Sequence, residues 1–435
     1  MAVTAPELLA QLRAAISRGD DATAASLARV VLAGDPGHEA TLAWLAARAR
    51  QQGMVDEAQA WANRGLAIRP HSSALRFQLG AAQAAAGDFA AAEASLQAVP
   101  VAAPMHVLAQ LWLSDVQARR GGRAAGLRTA ARALAMAEQF GLVAKRASLP
   151  TDVRIQLDAA MATLHAARAD VVARTLDGPT LAPDERERVL AAFAAHLGQP
   201  APAPVHALQQ PAFLFVPGLD DRPWWPREAF ACLAAIEACT DEIRGELLAV
   251  LGDDAGFAPY VDMPDDAPAA PMWGALNRSP SWSGFHFFRH GERIDANCAR
   301  CPRTAAALEA LPLLRIPGHA PEALFSVLRP QTHIPPHTGV INGRLTVHLP
   351  LLVPADCGAL AVAGEARGWR EGECLVFDDS FVHEAINRSA QTRVVLIFDL
   401  WHPGLPQATR AALAAAIAAY GAFNRELGLD DPMRE

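Results

Sequence analysis

The stretch Arg344-Leu-Thr-Val-His-Leu-Pro-Leu-Leu352 alternates between polar and apolar side chains over its first six residues. Because successive side chains of a β-strand point to opposite faces, this alternation predicts a strand with one buried apolar face. The apolar face consists of Leu345, Val347 and Leu349. The other face consists of Arg344, Thr346 and His348. A strand that carries an arginine and a histidine among apolar neighbours indicates the lining of a polar cavity.

Short runs of the same kind surround this strand. They are bounded by Gly, Pro, Asp or Asn and comprise Ala323–Leu328, Ala359–Val362, Glu373–Phe377 and Thr392–Trp401. Many short strands without helices between them predict a sandwich or barrel rather than a parallel sheet. In the last run Arg393 and Asp399 fall on one face, so we expect Arg393 to line the same cavity. A helix from Gln407 to about Leu427 is predicted to follow.

The first third of the chain repeats with a period of 34 residues. Glycine recurs at Gly19, Gly53, Gly87 and Gly121, proline at Pro36, Pro70 and Pro104, and alanine at Ala24, Ala58 and Ala92. Glycine tolerates the left-handed conformation that ends a helix, and proline stops the next helix because it has no N–H to donate. This pattern, across roughly residues 5–140, is typical of tetratricopeptide repeats, and an ordinary Ala-rich helical bundle is the alternative.

A Pro-rich stretch, Gly198-Gln-Pro-Ala-Pro-Ala-Pro204, follows a further helical region and is typical of a semi-rigid linker. The predicted domains are a helical tetratricopeptide-like domain over 1–198, a linker over 199–210, a β domain over 211–406 and a C-terminal helix over 407–435. The predicted fold class is therefore multidomain α + β.

The composition excludes several classes of protein. The chain has 435 residues and a net charge of −8, from 38 basic and 46 acidic residues, and no basic block that would indicate a nucleic-acid partner. We see neither a signal peptide at the N-terminus nor an apolar run of the roughly 20 residues that span a bilayer. Six cysteines are too few for a disulfide scaffold in a chain of this length. We therefore expect a cytoplasmic protein.

Two histidines indicate a metal site. His337 ends a Pro-rich turn, His383 follows 46 residues later, and Arg393 comes ten residues after that. Imidazole nitrogens suit iron(II) among other divalent ions, and the planar fork of an arginine suits a carboxylate. Oxygenases that use iron and 2-oxoglutarate usually add a carboxylate two residues after the first histidine, where this chain has Gly339. Either a water molecule fills that third position, or Asp378 or Asp379 reaches it.

Each of these residues also has an ordinary structural interpretation. A single histidine is more often exposed, or satisfied in the core, than bound to metal. Arg393 alone is as compatible with a structural ion pair as with a binding site. Asp378-Asp379 alone is more typical of a turn or the edge of a loop. The joint occurrence of two histidines and an arginine on predicted strands favours the metal site.

The order and spacing of the motifs resemble the aspartyl/asparaginyl β-hydroxylase family over roughly residues 213–405. The motifs are His333-Ile-Pro-Pro-His-Thr-Gly339, Arg344-Leu-x-x-His348, Phe377-Asp-Asp-Ser-Phe-x-His-Glu384, Arg393 and Trp401-His-Pro403. The resemblance implies a double-stranded β-helix, or jelly-roll, fold. Members of this family can carry N-terminal tetratricopeptide repeats, which agrees with the first third of the chain.

The resemblance also implies the roles of individual residues. His337 and His383 match the two iron(II) ligands of the family, which lacks a third protein ligand, so Gly339 agrees with it. Arg393 and Ser326 match the residues that grip 2-oxoglutarate, and His348 matches a histidine that holds its other end.

Two further site residues belong to the same prediction. Thr346 departs from the family, because the animal enzyme often has an arginine at that position, and Arg344 on the same face is expected to substitute for it. Asp379 is expected to order water near the metal. The predicted catalytic residues are therefore His337, His383 and Asp379.

The implied reaction is hydroxylation of the β-carbon of an Asp or Asn side chain, with 2-oxoglutarate and O2 as cosubstrates and succinate and CO2 as products. The expected partner is a protein or peptide, presented by the concave surface of the repeat domain. The alternatives are the same chemistry on a small molecule or lipid acyl chain, a non-catalytic interaction or sensor protein, and a zinc or manganese cupin. Cys298 and Cys301 are expected to be reduced thiols, since no second Cys-x-x-Cys pair exists to complete a zinc site.

Overall fold

The computed structural model describes residues 4–103, 105–177, 181–252, 255–265, 267, 269–431 and 433. The chain divides into two compact units. The first comprises Met1–Ala167 with Arg425–Leu429, and the second comprises Arg168–Asn424 with Asp430–Glu435. Helix dominates the first unit and antiparallel sheet the core of the second, so the chain is an α + β protein.

Helices follow one another through the N-terminal unit. Their bounds are α1 Ala5–Ser17, α2 Asp21–Gly34, α3 Glu39–Gln51, α4 Val55–Ile68, α5 Ser73–Ala85, α6 Phe89–Gln97, α7 His106–Arg119, α8 Arg123–Gln139 and α9 Thr151–Thr175. Side-chain caps begin several of them. For example, the carboxylates of Asp20 and Asp88 accept a backbone N–H of the first turn of α2 and α6.

The 34-residue spacing predicts the helix ends correctly. Gly19, Gly53, Gly87 and Gly121 follow α1, α3, α5 and α7 with φ angles of 71°, 76°, 82° and 85°. Pro36 and Pro70 lie two residues beyond the ends of α2 and α4, whereas Pro104 lies outside the described residues. The alanines of the repeat, Ala24, Ala58 and Ala92, are fully buried.

The second unit contains the remaining helices and all the strands. Its helices are α10 Pro183–Phe193, α11 Leu233–Glu237, α12 Thr240–Leu251, α13 Ala270–Trp273, α14 Asp295–Arg300, α15 Pro302–Glu309 and α16 Gln407–Glu426, whose last two residues fall in the first unit. Its strands are β1 Trp224–Trp225, β2 Ala258–Pro259, β3 Trp282–Arg289, β4 Glu292–Arg293, β5 Ala323–Leu328, β6 Thr332–His337, β7 Arg344–Leu352, β8 Leu360–Val362, β9 Glu365–Arg367, β10 Leu375–Phe377, β11 His383–Asn387 and β12 Arg393–Trp401. The five predicted strands and the C-terminal helix are all present.

Two antiparallel sheets form the core of this unit. The larger sheet has the order β1-β10-β7-β12-β5-β3-β2, with β4 paired to β3, and the smaller has the order β6-β11-β8-β9. One apolar cluster joins residues of both sheets, including Trp282, Leu328, Ile334, Leu360 and Phe377. The sheets therefore pack face to face, and the polar face of β7 points between them.

The opposite face of the larger sheet packs on helices. Leu345, Val347 and Leu349 belong to an apolar cluster that also contains Ile243 of α12 and Leu308 of α15. The alternation read from the sequence of β7 is thus confirmed, because its apolar residues face these helices.

The compact units divide inside α9, about thirty residues before the Pro-rich stretch at which the sequence places the boundary. The C-terminal part of α9 and α10 pack in one cluster with α16, through Val172, Phe193, Leu413 and Tyr420. The C-terminal helix consequently contributes to the core of the second unit. No helix within the described residues is long and apolar enough to cross a membrane.

Candidate metal and cosubstrate site

The two predicted metal ligands lie side by side in the smaller sheet. His337 is the last residue of β6 and His383 the first residue of β11, and their Cα atoms are direct partners across the antiparallel pair. Their ring centroids are 4.1 Å apart. The register of this strand pair therefore brings together two histidines that are 46 residues apart in sequence.

Both imidazoles are fixed in the same tautomer. The Nδ1 atom of His337 lies 2.8 Å from the carbonyl oxygen of Pro335, and that of His383 lies 2.9 Å from the carbonyl oxygen of Phe381. A carbonyl oxygen only accepts, so each Nδ1 carries the proton and each Nε2 keeps a free lone pair. Burial lowers the pKa of His337 to about 3 and also lowers the pKa of His383, so both rings are neutral.

The carboxylate of Asp379 occupies the space beside Gly339. A Cβ atom placed on Gly339 would overlap that carboxylate, and the Gly339 N–H donates a 2.6 Å hydrogen bond to the Asp379 carbonyl oxygen. Metal sites built from two histidines and one carboxylate usually carry the acid at this position. Here the carboxylate that fills the space belongs to Asp379, on a different loop.

Arg344 is held between two buried carboxylates. Its guanidinium forms an ion pair with Asp379 and lies 3.6 Å from Asp399, whose other oxygen accepts a 3.0 Å hydrogen bond from the Thr346 hydroxyl. Burial raises the pKa of Asp399 to about 7, against the opposing effect of Arg344. Arg344 is therefore already paired, although the sequence assigns it to the cosubstrate.

The side chain of Asp378 has different partners from that of its neighbour Asp379. Its carboxylate accepts hydrogen bonds from the Ser380 backbone N–H at 2.9 Å and from the Gln209 amide at 3.1 Å. Burial raises the pKa of Asp378 to about 7. Of the two acids that the sequence proposes for the third metal position, only Asp379 adjoins Gly339.

Arg393 is a buried cation without an acidic partner. Only 1% of the residue is exposed, and no carboxylate among the described residues forms an ion pair with it. Its guanidinium lies 4.6 Å from the centroid of the Trp369 ring and donates a weak 3.4 Å hydrogen bond to the Ser326 carbonyl oxygen. Burial lowers its pKa to about 10, so it is still charged at neutral pH. A buried charge without an ionic partner is costly in free energy.

His348 and Ser326 lie on the same face of the larger sheet as Arg393. The indole N–H of Trp369 donates to Nδ1 of His348 at 3.3 Å, so His348 is protonated on Nε2. Burial lowers the pKa of His348 well below its usual value, and the neighbouring Arg393 adds to the effect. The Ser326 hydroxyl accepts a 3.1 Å hydrogen bond from the indole of Trp282. Both residues are thus oriented by tryptophans.

Aromatic side chains surround His337. The rings of Trp273 and Trp282 have centroids 5.1 Å and 6.3 Å from that of His337, and Tyr260 stacks on Trp282 at 4.0 Å. The sequence interpretation missed these residues and Trp369. Their signal was weak, since the chain has nine tryptophans and these three do not belong to the histidine motifs.

These residues fit a metal ion held by two histidines. Two neutral Nε2 atoms lie side by side, and Gly339 and the Asp379 carboxylate adjoin them. Among the described residues, no group of three or more His, Cys, Asp and Glu side chains is placed to hold a metal. Fold and site therefore define an α + β protein with paired antiparallel sheets, two adjacent histidines and a buried arginine.

Comparison with known sequences finds similarity to one family. Residues 237–403 match the family model of aspartyl/asparaginyl beta-hydroxylase. The chain is 34% identical over 204 residues to human aspartyl/asparaginyl beta-hydroxylase, a match that covers 46% of this chain and 25% of the human protein. It is 33% identical over 218 residues to aspartate beta-hydroxylase domain-containing protein 2 of Xenopus tropicalis, covering 49% of this chain and 56% of that protein. Residues 237–403 are therefore similar in sequence to the aspartyl/asparaginyl beta-hydroxylase family.

The family model leaves the helical first third outside, and the chain spans a quarter to about half of the length of these two relatives. Among solved structures, the plu4264 protein from Photorhabdus luminescens aligns with a TM-score of 0.20 and 10% identity, covering 31% of this chain and 83% of that chain.

Proposed function

We propose that this protein is an iron(II)- and 2-oxoglutarate-dependent dioxygenase that hydroxylates the β-carbon of an Asp or Asn side chain in a protein or peptide. The paired sheets would then form a double-stranded β-helix. The observation that carries the proposal is Arg393, a buried guanidinium without a carboxylate partner among the described residues, on the sheet that faces the two histidines. The names of the relatives agree with it.

His337 and His383 would hold the metal through Nε2, since their Nδ1 atoms already donate to backbone carbonyls. Those two hydrogen bonds fix the ring planes and leave the unprotonated nitrogen for coordination. When bound, iron(II) would supply oxygen activation, coupled to the oxidation of 2-oxoglutarate to succinate and CO2.

2-Oxoglutarate would lie along the inner face of the larger sheet. Arg393 would pair with one carboxylate, with the Ser326 hydroxyl beside it, because a planar guanidinium donates two parallel hydrogen bonds. His348 would donate from Nε2–H to the other end of the molecule, since its Nδ1 already accepts from Trp369. Burial of these groups excludes water and strengthens each contact.

We propose a different role for Arg344 from the one its sequence position implies. Its ion pairs with Asp379 and Asp399 would have to break before it could bind a cosubstrate carboxylate. Arg344 instead positions Asp379, whose carboxylate adjoins the metal-binding end of β6 and would orient water or substrate there.

The repeat-like unit would present the polypeptide substrate. A groove of about 570 Å³ lies within this unit, lined by residues that include Val101, Gln110, Gln117, Arg128 and Arg132. The amide of Gln110 suits the backbone of an extended peptide, since an amide offers both a donor and an acceptor.

Three variants test the proposal. His337→Ala and His383→Ala should lose iron(II) binding, whereas His333→Ala should keep it, because His333 is exposed and pairs with Glu384. Wild-type protein with iron(II), 2-oxoglutarate and a peptide library should release succinate and give products 16 Da heavier. Iron binding without turnover of any peptide would favour a sensor, and a preference for zinc or manganese would favour a cupin with different chemistry.

A further inference from the structure

The charges beside the two histidines bear on which side chain the proposed enzyme hydroxylates. We infer that the substrate residue is an asparagine, with an uncharged amide, rather than an aspartate. This inference rests on the proposed function and concerns the same site. Two features carry it. The arginines of the site already have partners or bind the cosubstrate, and one carboxylate oxygen of Asp379 has no donor among the described residues.

Neither arginine of the inner face is left for a substrate carboxylate. Arg344 pairs with Asp379 and lies 3.6 Å from Asp399, and Arg393 is required for the cosubstrate. Position 346, between Arg344 and His348 on the same face, carries a threonine whose hydroxyl donates to Asp399. Two carboxylates thus face one guanidinium at this end of the sheet, so the local field does not attract an anion.

The carboxylate of Asp379 provides a positive preference for an amide. Its Oδ2 atom is paired with Arg344, whereas Oδ1 is buried without a donor among the described residues. Oδ1 therefore suits a ligand that donates, and the NH2 group of an asparagine side chain donates two hydrogens. An aspartate side chain of the same shape offers none and would place a second negative charge beside the first.

The remaining surroundings of His337 are aromatic and carry no charge. Among the described residues, Trp273 and Trp282 lie beside His337, and Tyr260 stacks on Trp282. Arg278 follows Trp273 and Arg367 precedes Trp369 in the chain, but both arginines have carboxylate partners. Arg278 pairs with Asp262 and Asp265, and Arg367 pairs with Glu365. An uncharged substrate side chain is compatible with this lining, whereas a carboxylate would lose its hydration without gaining a cation.

Two matched peptide libraries test the inference on the unmodified protein. Each has randomised flanks and a fixed central residue, asparagine in one and aspartate in the other, and the 16 Da products are measured with iron(II) and 2-oxoglutarate. We expect kcat/KM for the asparagine library to exceed that for the aspartate library by at least about tenfold. A smaller ratio, or a preference for aspartate, overturns the inference while leaving the proposed hydroxylase intact. Turnover of neither library overturns both.

Two variants address the cause of the preference. Asp399→Asn removes one carboxylate from Arg344, and Thr346→Arg adds a guanidinium on the same face, so both should lower the ratio of asparagine to aspartate turnover about tenfold. Thr346→Val is the matched control for loss of the hydroxyl, because it keeps the shape and adds no cation, and it should lower the ratio less than Thr346→Arg does. Iron(II) binding and the melting temperature report whether each variant is folded. An unchanged ratio in folded Asp399→Asn contradicts the assignment even if Thr346→Arg does not fold.

Discussion

Gly339 leaves the space that the carboxylate of Asp379 fills. A Cβ atom on residue 339 would overlap that carboxylate. The backbone of Gly339 also donates to the Asp379 carbonyl oxygen, so the two residues are fixed to each other. Gly339 is therefore needed for space rather than for an unusual backbone conformation.

The first prediction concerns this pair. Gly339→Ala should displace the Asp379 carboxylate from Arg344, lower turnover at least about tenfold and destabilise the second unit by about 1–3 kcal/mol. Gly245→Ala is the control, because a Cβ there meets nothing within 4 Å and the residue lies inside α12, so the change should be neutral or stabilise by up to about 1 kcal/mol. Adding Asp379→Ala to Gly339→Ala should cost less stability than the two single changes summed. Additive free energies of unfolding would show that the two side chains do not compete for space.

A second prediction concerns the buried charge of Arg393. Arg393→Met removes a cation that has no acidic partner among the described residues, so the melting temperature without ligand should stay the same or rise. The stabilisation by 2-oxoglutarate, about 2.7 kcal/mol at a hundred times Kd in the wild type, should disappear, and KM for 2-oxoglutarate should rise far more than Kd for iron(II). Arg388→Met, at an exposed position, is the control. An unchanged thermal shift in Arg393→Met would remove Arg393 from the cosubstrate site.

A third prediction separates Trp369 from general packing. Trp369→Phe keeps an aromatic ring beside Arg393 but loses the N–H that fixes the tautomer of His348. KM for 2-oxoglutarate should rise by about tenfold, with iron(II) affinity unchanged. Trp225→Phe, whose indole N–H is buried without a hydrogen-bond partner among the described residues, should leave that KM unchanged. Equal effects of the two substitutions would reduce Trp369 to a packing role.

The sequence predicts those parts of the fold that alternate clearly. β7 packs one face on helices and turns the other toward the smaller sheet, so its polar and apolar residues separate by position. β3 was missed because nearly all of Trp282–Arg289 is buried and Gly284 interrupts it, so no alternation marks it. The sequence pattern also predicts a single helix from Arg227 to about Leu251, whereas the structure has a 3-10 turn at Arg227–Ala229 and two helices, α11 and α12.

The same distinction applies to the site. Motif spacing predicts the pairing of His337 with His383, which the register of β6 and β11 produces. It does not predict the partners of Arg344, because these depend on where the loop that carries Asp379 lies. The contacts of Trp369 with His348 and of Trp282 with Ser326 join residues 21 and 44 positions apart. A buried tryptophan or serine is common in any core, so the residue types alone do not predict these contacts.

The last prediction is a dependence of stability on pH that arises at Asp378. Its pKa is about 7 in the folded protein and near 3.8 when unfolded, so between pH 4 and 7 the unfolded chain ionises while the folded one stays protonated. Stability should therefore fall as pH rises through this window, by up to a few kcal/mol, and level off above it. Asp378→Asn should match the wild type near pH 4 and melt at a higher temperature at pH 8. Gln209 can accommodate the introduced asparagine amide. The buried Oε1 of Gln209 has no hydrogen-bond partner among the described residues, and it can accept from the new NH2 group once the Gln209 side-chain amide rotates by half a turn. The exposed Asp221→Asn should leave the pH profile unchanged, and parallel profiles for wild type and Asp378→Asn would refute the raised pKa.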